Sequence, residues 1–577
     1  MTLRIERRAV PESAAQSLGV TLHPVLRRVY AARGIGSEAE LALSLSRLLP
    51  VGSLENVDAA VELLLAHREA GRKVLVVGDF DADGATSSAL IVRALRAWGF
   101  ADVDFLVPNR FEFGYGLTPE IVALGAERGP TLIVTVDNGV ASIAGVAAAR
   151  ERGIDVLVTD HHLPGAELPA ANVLVNPNLA GSRFGSRALA GVGVAFYVMV
   201  ALKRALDARG LVAPGAPGPA EWLDLVALGT VADVVPLDFN NRVLVAQGLA
   251  RIRAGRCVPG IRALLEIAQR ERAELTASDL GFAIAPRLNA AGRLDDMSIG
   301  IRCLLADGEA QARALAARLD QLNTERRVIE ARMQADALAA VRHLGPLAAE
   351  SARQRWGVCL YEPRWHQGVV GLVASRVKER VRRPVIAFAD GGDGTLRGSA
   401  RSVPGVHVRD VLENVAARHP QLIVRFGGHA MAAGLTLERD KLDTFAAEFD
   451  AEVARWLGAH ADADRLDTDG ELAADDICLA TAEAVRAGGP WGAAFPEPVF
   501  DGYFSIARTR IVGEKHVKMW VELAGAARRF DAIAFNLLDG DAAGPPSGEV
   551  RLVYRLDVNF YQGERRLQLL VDHVLPA

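Results

Sequence analysis

Between residues 72 and 177 the chain alternates short, near-continuously apolar runs with stretches whose apolar positions recur at helical spacing. The runs are KVLVVGD, DVDFLVP, TLIVTVD, DVLVTDHH and VLVNP. Strands buried on both faces read this way, so the segment predicts a doubly wound α/β fold with a parallel sheet. After the Pro- and Gly-rich LVAPGAPGPA, the stretch EWLDLVALGTVADVV predicts a helix. From Gln311 to Arg342 helical spacing continues without Gly or Pro, which predicts one long helix joining two lobes. A partner-binding coiled coil is the rival there, weakened by the lack of a sustained heptad. A second α/β unit follows over about 355–455. From about 498 to 575, five β-patterned runs predict a small barrel of the OB type.

These patterns divide the chain into a helical extension (1–45), a first α/β domain (46–305), a connecting helix (306–345), a second α/β domain (346–458) and a β-barrel domain (459–577). The extension is expected to pack as helices on the first α/β domain. A chain of 577 residues, half of them hydrophobic, is long enough for several cores. No apolar run approaches the ~18 residues of a membrane span. The start, MTLRIERRAV, has no apolar signal-peptide core, so the expected location is the cytoplasm, away from membranes. Cys257, Cys303, Cys359 and Cys478 show no CxxC spacing, so any metal would be held by oxygen and imidazole. A net charge of -5 gives no general attraction to nucleic acid; a polyanion would need local basic patches or bridging cations.

The chemistry concentrates where strands end. GDFDADGATS places Asp79, Asp81 and Asp83 at alternate positions before Gly84. A calcium loop begins similarly, but the position where it needs a bidentate Glu holds Leu90, and a β-branched run precedes it instead of a helix. A phosphate-binding P-loop would need Gly-Lys-Ser/Thr, which is missing. The third run contributes Asp137 and the fourth Asp160, His161 and His162; GTVADVVPL adds Asp233. Each Asp alone could simply cap a following helix. Together they cannot all do so: two carboxylates about 4 Å apart repel by roughly 4 kcal/mol at a surface-like dielectric, so a convergent set needs cations. An oxygen-rich site with a few imidazoles suits Mn²⁺ or Mg²⁺, and two such ions define a phosphoester hydrolase.

The motifs DFDADG, VDNG, TDHH and GTVADVVPL, in that order, resemble the DHH phosphoesterase superfamily. PRLNAAGR, WHQGVVGLVASRV, RGSARS and FGGHAMAAG extend the resemblance to its branch of single-strand-specific 5′ to 3′ DNA exonucleases, over roughly residues 50–577. The resemblance implies a two-lobed DHH phosphoesterase with an OB-like tail. It also implies two divalent ions, one held by Asp79, Asp81 and Asp137 and the other by Asp83, Asp137, His161 and Asp233. His162 would contact the phosphate or assist the leaving oxygen, and Asp160 would orient imidazole. Arg110, Arg287, Asn289, Arg293, His366, Ser399, Arg401, Gly428 and His429 would hold the 5′-phosphate and nearby backbone, with FGGHAMAAG expected as a turn opening a helix. The implied partners are single-stranded DNA with a free 5′ end, single-strand-binding protein and repair helicases, and the enzyme would act as a monomer in recombination and repair. Barrel aromatics among Lys and Arg residues would stack bases, although half or more should be core. Two other readings stay open: a superfamily phosphodiesterase acting on short oligonucleotides or cyclic dinucleotides, and an inactive replication-associated DNA-binding relative.

Overall fold

The computed structural model describes residues 3–108, 116–343, 356–392, 394–458, 465–526, 528–538, 544–561 and 564–577. The chain divides into two units, Glu6–Asp320 with Asp467–Ala577, and Gln321–Leu466 with the first few residues.

The first unit is organised by a five-stranded parallel sheet: β1 Val74–Gly78, β2 Val103–Leu106, β3 Leu132–Val136, β4 Asp155–Thr159 and β5 Val173–Val175, in spatial order β2-β1-β3-β4-β5. Every residue of β1 and β3 is buried, which explains why these strands read as unbroken apolar runs. The order reverses between β1 and β3, and such switch points open a crevice beyond the carboxyl ends of the strands. Asn138 holds that crevice: its side-chain N–H groups donate to Val77 O at 3.2 Å and Val136 O at 2.8 Å, bridging the two diverging strands. Helices α1 Ala82–Ala97, α2 Gly191–Ala208 and α3 Leu223–Ala232 pack around it.

The same unit carries the predicted barrel, which is closed: β6 Phe500–Val512, β7 His516–Leu523, β8 Arg529–Ala534, β9 Gly548–Tyr561 and β10 Glu564–Pro576, in order β6-β7-β8-β10-β9. Phe500, Phe504, Met519, Tyr554 and Leu569 fill its interior. The N-terminal extension differs from expectation. The helix Pro24–Ala31 inserts Val25 and Val29 into the barrel core, and the following segment reaches the helices around the parallel sheet, through Leu43 O to Gln247 and Leu49 N to Asn240. A short strand, Arg4–Arg7, also precedes the helices. Buried acids anchor the extension to the barrel side: Asp501 accepts from Arg7 at 2.8 Å and Arg551 at 2.7 Å, and Asp469 pairs with Arg33 at 2.7 Å.

The long helix is continuous over Glu309–His343. The second unit is a mixed sheet in the order Arg425–Gly428, Ala432–Glu438, Thr395–Arg401, Val385–Gly392, Val358–Tyr361, with only the last two strands parallel. Its core includes Phe388, Leu396, Leu412, Phe445 and Phe449. Among the described residues no helix is long and apolar enough to cross a membrane.

Candidate metal centre and substrate contacts

Three strand ends and one helix end bring the acids and His161 together at the switch point. Asp79, Asp83 and Asp137 are buried and Asp81 is half-buried. Asp81 is the N-cap of α1: one carboxylate oxygen accepts from Asp83 N and Gly84 N, each at 3.0 Å. Capping and ligation are therefore compatible, because a carboxylate offers two oxygens and about four lone pairs. Asp83 turns away from its own helix start and accepts from Gly191 N at 2.6 Å and Val192 N at 2.9 Å, the first N–H groups of α2. Asp137 follows β3 in the left-handed region, φ 60°, an uncommon conformation for a residue other than Gly. His161 Nε2 lies 3.1 Å from Asp137, 3.5 Å from Asp233 and 4.0 Å from Asp83.

Potential ligand atoms fall into three sets, within each of which they lie no more than 4.8 Å apart: Asp79, Asp81, Asp137; Asp83, His161, Asp233; and Asp137, His161, His162. Their electrostatics are those of a crowded anionic pocket. Burial, then the charge of Asp81, pushes Asp83 up to about 7 despite the N–H groups it accepts from. Burial and the neighbouring carboxylates likewise hold Asp137 and Asp233 well above the ordinary carboxylate range. An all-oxygen pocket with imidazole at its edge, and with carboxylates resisting ionisation in one another's company, fits hard or borderline divalent cations.

Asp160 faces the other way. Buried, it accepts from Val140 N at 2.9 Å, His161 N at 2.7 Å and His162 Nδ1 at 2.7 Å. Burial alone would raise its pKa, but the bond and charge of His162 outweigh it and hold Asp160 below the usual range. The converse holds for His162: burial lowers its pKa, and Asp160 with the nearby acids overcomes this and raises it to about 9. Asp160 therefore positions the ring and charge of His162.

The candidate substrate contacts distribute unevenly. Arg110 lies outside the described residues. Arg287 and Arg293 lie on the helix Ala285–Leu294, where Arg287 pairs with Asp320 at 2.8 Å. Asn289 Oδ1 accepts from Ala82 N at 2.8 Å, so it supports the start of α1 beside the acids. In the second unit, Ser399 and Arg401 share one side of Thr395–Arg401, with Arg401 Nη1 2.9 Å from Ser399 Oγ. The helix Val370–Val381 begins against them: a Cβ on Gly371 would sit 2.7 Å from Arg401 Nη2. His366 Nδ1 accepts from Gly368 N at 3.1 Å in the turn leading to that helix.

FGGHAMAAG corrects the expectation of a helix start. Arg425–Gly428 and Ala432–Glu438 form an antiparallel hairpin with Gly428 opposite Ala433. The alternating burial of AAGLTLE, a two-residue period, fixes it as a strand despite its small residues. Gly428 has φ 144°, and a side chain there would strike Ala432 O and Ala433. His429 N donates to Ala432 O at 2.7 Å at the exposed tip.

The barrel also refines expectation. Phe504 and Tyr554 are core, and Tyr503 and Phe535 are exposed. Phe560 is flanked by the guanidinium groups of Arg486 and Arg565 at 5.4 and 5.3 Å, and Arg565 itself pairs with Glu274 and Glu483. On β6 and β7, Arg508 and Lys518 lie 5.2 and 5.3 Å from the ring of Trp520, and Lys518 also pairs with Asp531 at 3.1 Å, which leaves Arg508 as a cation of this face without an acidic partner among the described residues.

Sequence reasoning missed the residues that permit close approach. A Cβ on Gly191 would lie 2.6 Å from Asp137 Cβ, and one on Gly229 would lie 2.9 Å from Asp83 Oδ1. Only the absence of a side chain lets α2 and α3 close over the acids.

This combination of switch-point acids, paired histidines, second α/β unit and barrel defines a DHH phosphoesterase. Residues 73–230 match the DHH family, N-terminal domain, residues 355–455 the DHHA1 domain, and residues 468–573 the RecJ OB domain. Single-stranded-DNA-specific exonuclease RecJ of Dickeya dadantii is 54% identical, with 98% of each chain covered. That of Escherichia coli is 52% identical over 100% of this chain and 99% of the relative. The crystal structure of RecJ in complex with Mn²⁺ from Thermus thermophilus superimposes with a TM-score of 0.81 at 31% identity, covering 100% of this chain and 80% of that one. The chain belongs to the RecJ family.

Proposed function

We propose that this protein is a metal-dependent exonuclease that degrades single-stranded DNA from a free 5′ end and releases 5′-mononucleotides. The observation that carries this reading is the convergence of Asp79, Asp81, Asp83, Asp137, His161 and Asp233 on one buried pocket. Two Mn²⁺ or Mg²⁺ ions bound there would activate water and stabilise the developing phosphorane charge. Asp79, Asp81 and Asp137 are assigned to one ion and Asp83, Asp137, His161 and Asp233 to the other, with Asp137 shared. His162, held by Asp160, offers a proton-bearing ring to the scissile phosphate or leaving oxygen. The resemblance of the chain over its full length to RecJ enzymes supports the choice of single-stranded DNA over a cyclic dinucleotide.

Arg287, Arg293, Ser399, Arg401 and the Gly428–His429 tip are assigned to DNA phosphates, together with Arg110 and His366. The planar guanidinium fork suits phosphate oxygens. Asn289 acts indirectly, holding the start of α1 beside the acids through Ala82. The same reading makes the protein a cytoplasmic monomer that works beside single-strand-binding protein and repair helicases. Digestion of 5′- and 3′-labelled single and double strands, with and without Mn²⁺, tests it. Mononucleotides released from the 5′ end of single strands only in the metal are expected; 3′ polarity or preferential attack on duplex would contradict it.

A further inference from the structure

Phe282 is 85% exposed, the second most exposed large apolar side chain among the described residues after Val20 at 87%. It stands on a single wide turn of π type, Leu280–Ile284, set between the capping turn Thr276–Asp279 and the helix that carries Arg287, Asn289 and Arg293. Turns of this width inside helical runs often occur at functional sites. The turn is seated directly on α3, the helix that ends at Asp233: a Cβ on Gly281 would lie 3.2 Å from Val231 Cγ1, two residues before Asp233. The carbonyl of Val231 also accepts from Val234 N. Val234 is 69% exposed and has φ 61°, a strained conformation for a β-branched residue. Phe282 thus directly follows the residue that faces Val231, and Val234 directly follows the candidate ligand Asp233. The wide turn is braced from within by Arg287, whose Nη1 donates to Ala283 O at 2.5 Å.

A site that recognised phosphates alone would have no use for an exposed aromatic ring on a turn packed against the helix that leads to Asp233. A nucleotide offers both groups: a phosphodiester for the cations and a π face for a ring. On this basis, and resting on the nuclease reading above, we propose that Phe282 is a base-stacking residue which holds a nucleobase near the scissile phosphate, so that single-strandedness is read partly by an available base face. A base inside a duplex is already stacked on both sides and cannot engage the ring without being displaced.

The test is an abasic scan. A tetrahydrofuran spacer is placed at each of the first several positions of a 5′-phosphorylated single strand, and kcat/KM is measured in Mn²⁺ for wild type, Phe282→Ala, Phe282→Leu and Phe282→Trp. In wild type, one register is expected to lose roughly 5- to 150-fold, the range of one stacking contact. Phe282→Ala and Phe282→Leu should lose a similar factor on the intact strand and show no further loss at that register, while Phe282→Trp should retain both rate and register. Because the side chain is exposed, melting temperatures should be unchanged, which separates stacking from a structural role. An abasic penalty that persists undiminished in Phe282→Ala, or full activity of that variant on intact strands, would overturn the inference while leaving the nuclease reading intact. No digestion of any single strand by wild type would overturn both.

Discussion

His161 Nε2 lies 3.1 Å from Oδ1 of Asp137, and the two residues arrive from the ends of the neighbouring parallel strands β4 and β3. The contact places an imidazole at the edge of a crowded carboxylate pocket, with Asp233 and Asp83 at 3.5 and 4.0 Å from the same ring nitrogen. The expectations below follow from that arrangement.

Asp81→Asn and Asp137→Asn should each lower Mn²⁺-dependent digestion by roughly 100-fold or more, since even outer partners of metal ligands commonly contribute 10- to 100-fold. Circular dichroism should remain that of the wild type. Undiminished turnover in both variants would contradict the assignment of ligands.

The repulsion has a pH signature in the metal-free protein. Asp83, Asp137 and Asp233 bind protons more tightly when folded, Asp83 with a value of about 7, than in the unfolded chain, where Asp titrates near about 3.9. A raised carboxyl pKa makes the fold gain stability as pH falls through the folded value toward the unfolded one, and lose it as pH rises. In chelator, Asp137→Asn should therefore melt above wild type at about pH 8, and the difference should shrink toward about pH 5. A difference that does not vary with pH would show that the carboxylates do not repel.

Gly191→Ala should be far more damaging than an ordinary helix substitution, because its methyl would meet Asp137 and disturb the N–H that Asp83 accepts. Asn289→Ala should be milder, costing about 1 kcal/mol in denaturant unfolding for one lost hydrogen bond, with a measurable fall in activity through the loosened start of α1. Equal effects of the two would contradict the close-approach argument.

Much of this was legible in the sequence, and the residues explain what was not. The sheet could be read because buried parallel strands leave unbroken apolar runs, and Asp79, Asp81, Asp83, Asp137 and His161 could be placed because ligands gather at strand ends. FGGHAMAAG was ambiguous because small residues obscure the difference between helical and two-residue periods. The extension's docking on the barrel and the support of Ala82 by Asn289 depend on pairings hundreds of positions apart, such as Arg7 with Asp501, which leave no local pattern.

On the barrel, Trp520→Ala should weaken binding of long single strands by about 1–3 kcal/mol if one base stacks there. Removing Arg508 or Arg510, which lack an acidic partner among the described residues, should flatten the salt dependence by about 0.7 per phosphate contact. Arg565→Ala should leave DNA affinity unchanged, because that side chain is engaged by Glu274 and Glu483. Filter binding across a salt series distinguishes them; an equal loss in all of them would contradict the assigned face.

The most direct measurement is anomalous diffraction from crystals soaked in manganese. Two peaks are expected at the switch point, one bounded by Asp79, Asp81 and Asp137 and the other by Asp83, Asp137, His161 and Asp233. A pocket without manganese, or carboxylates turned out of it, would contradict the account.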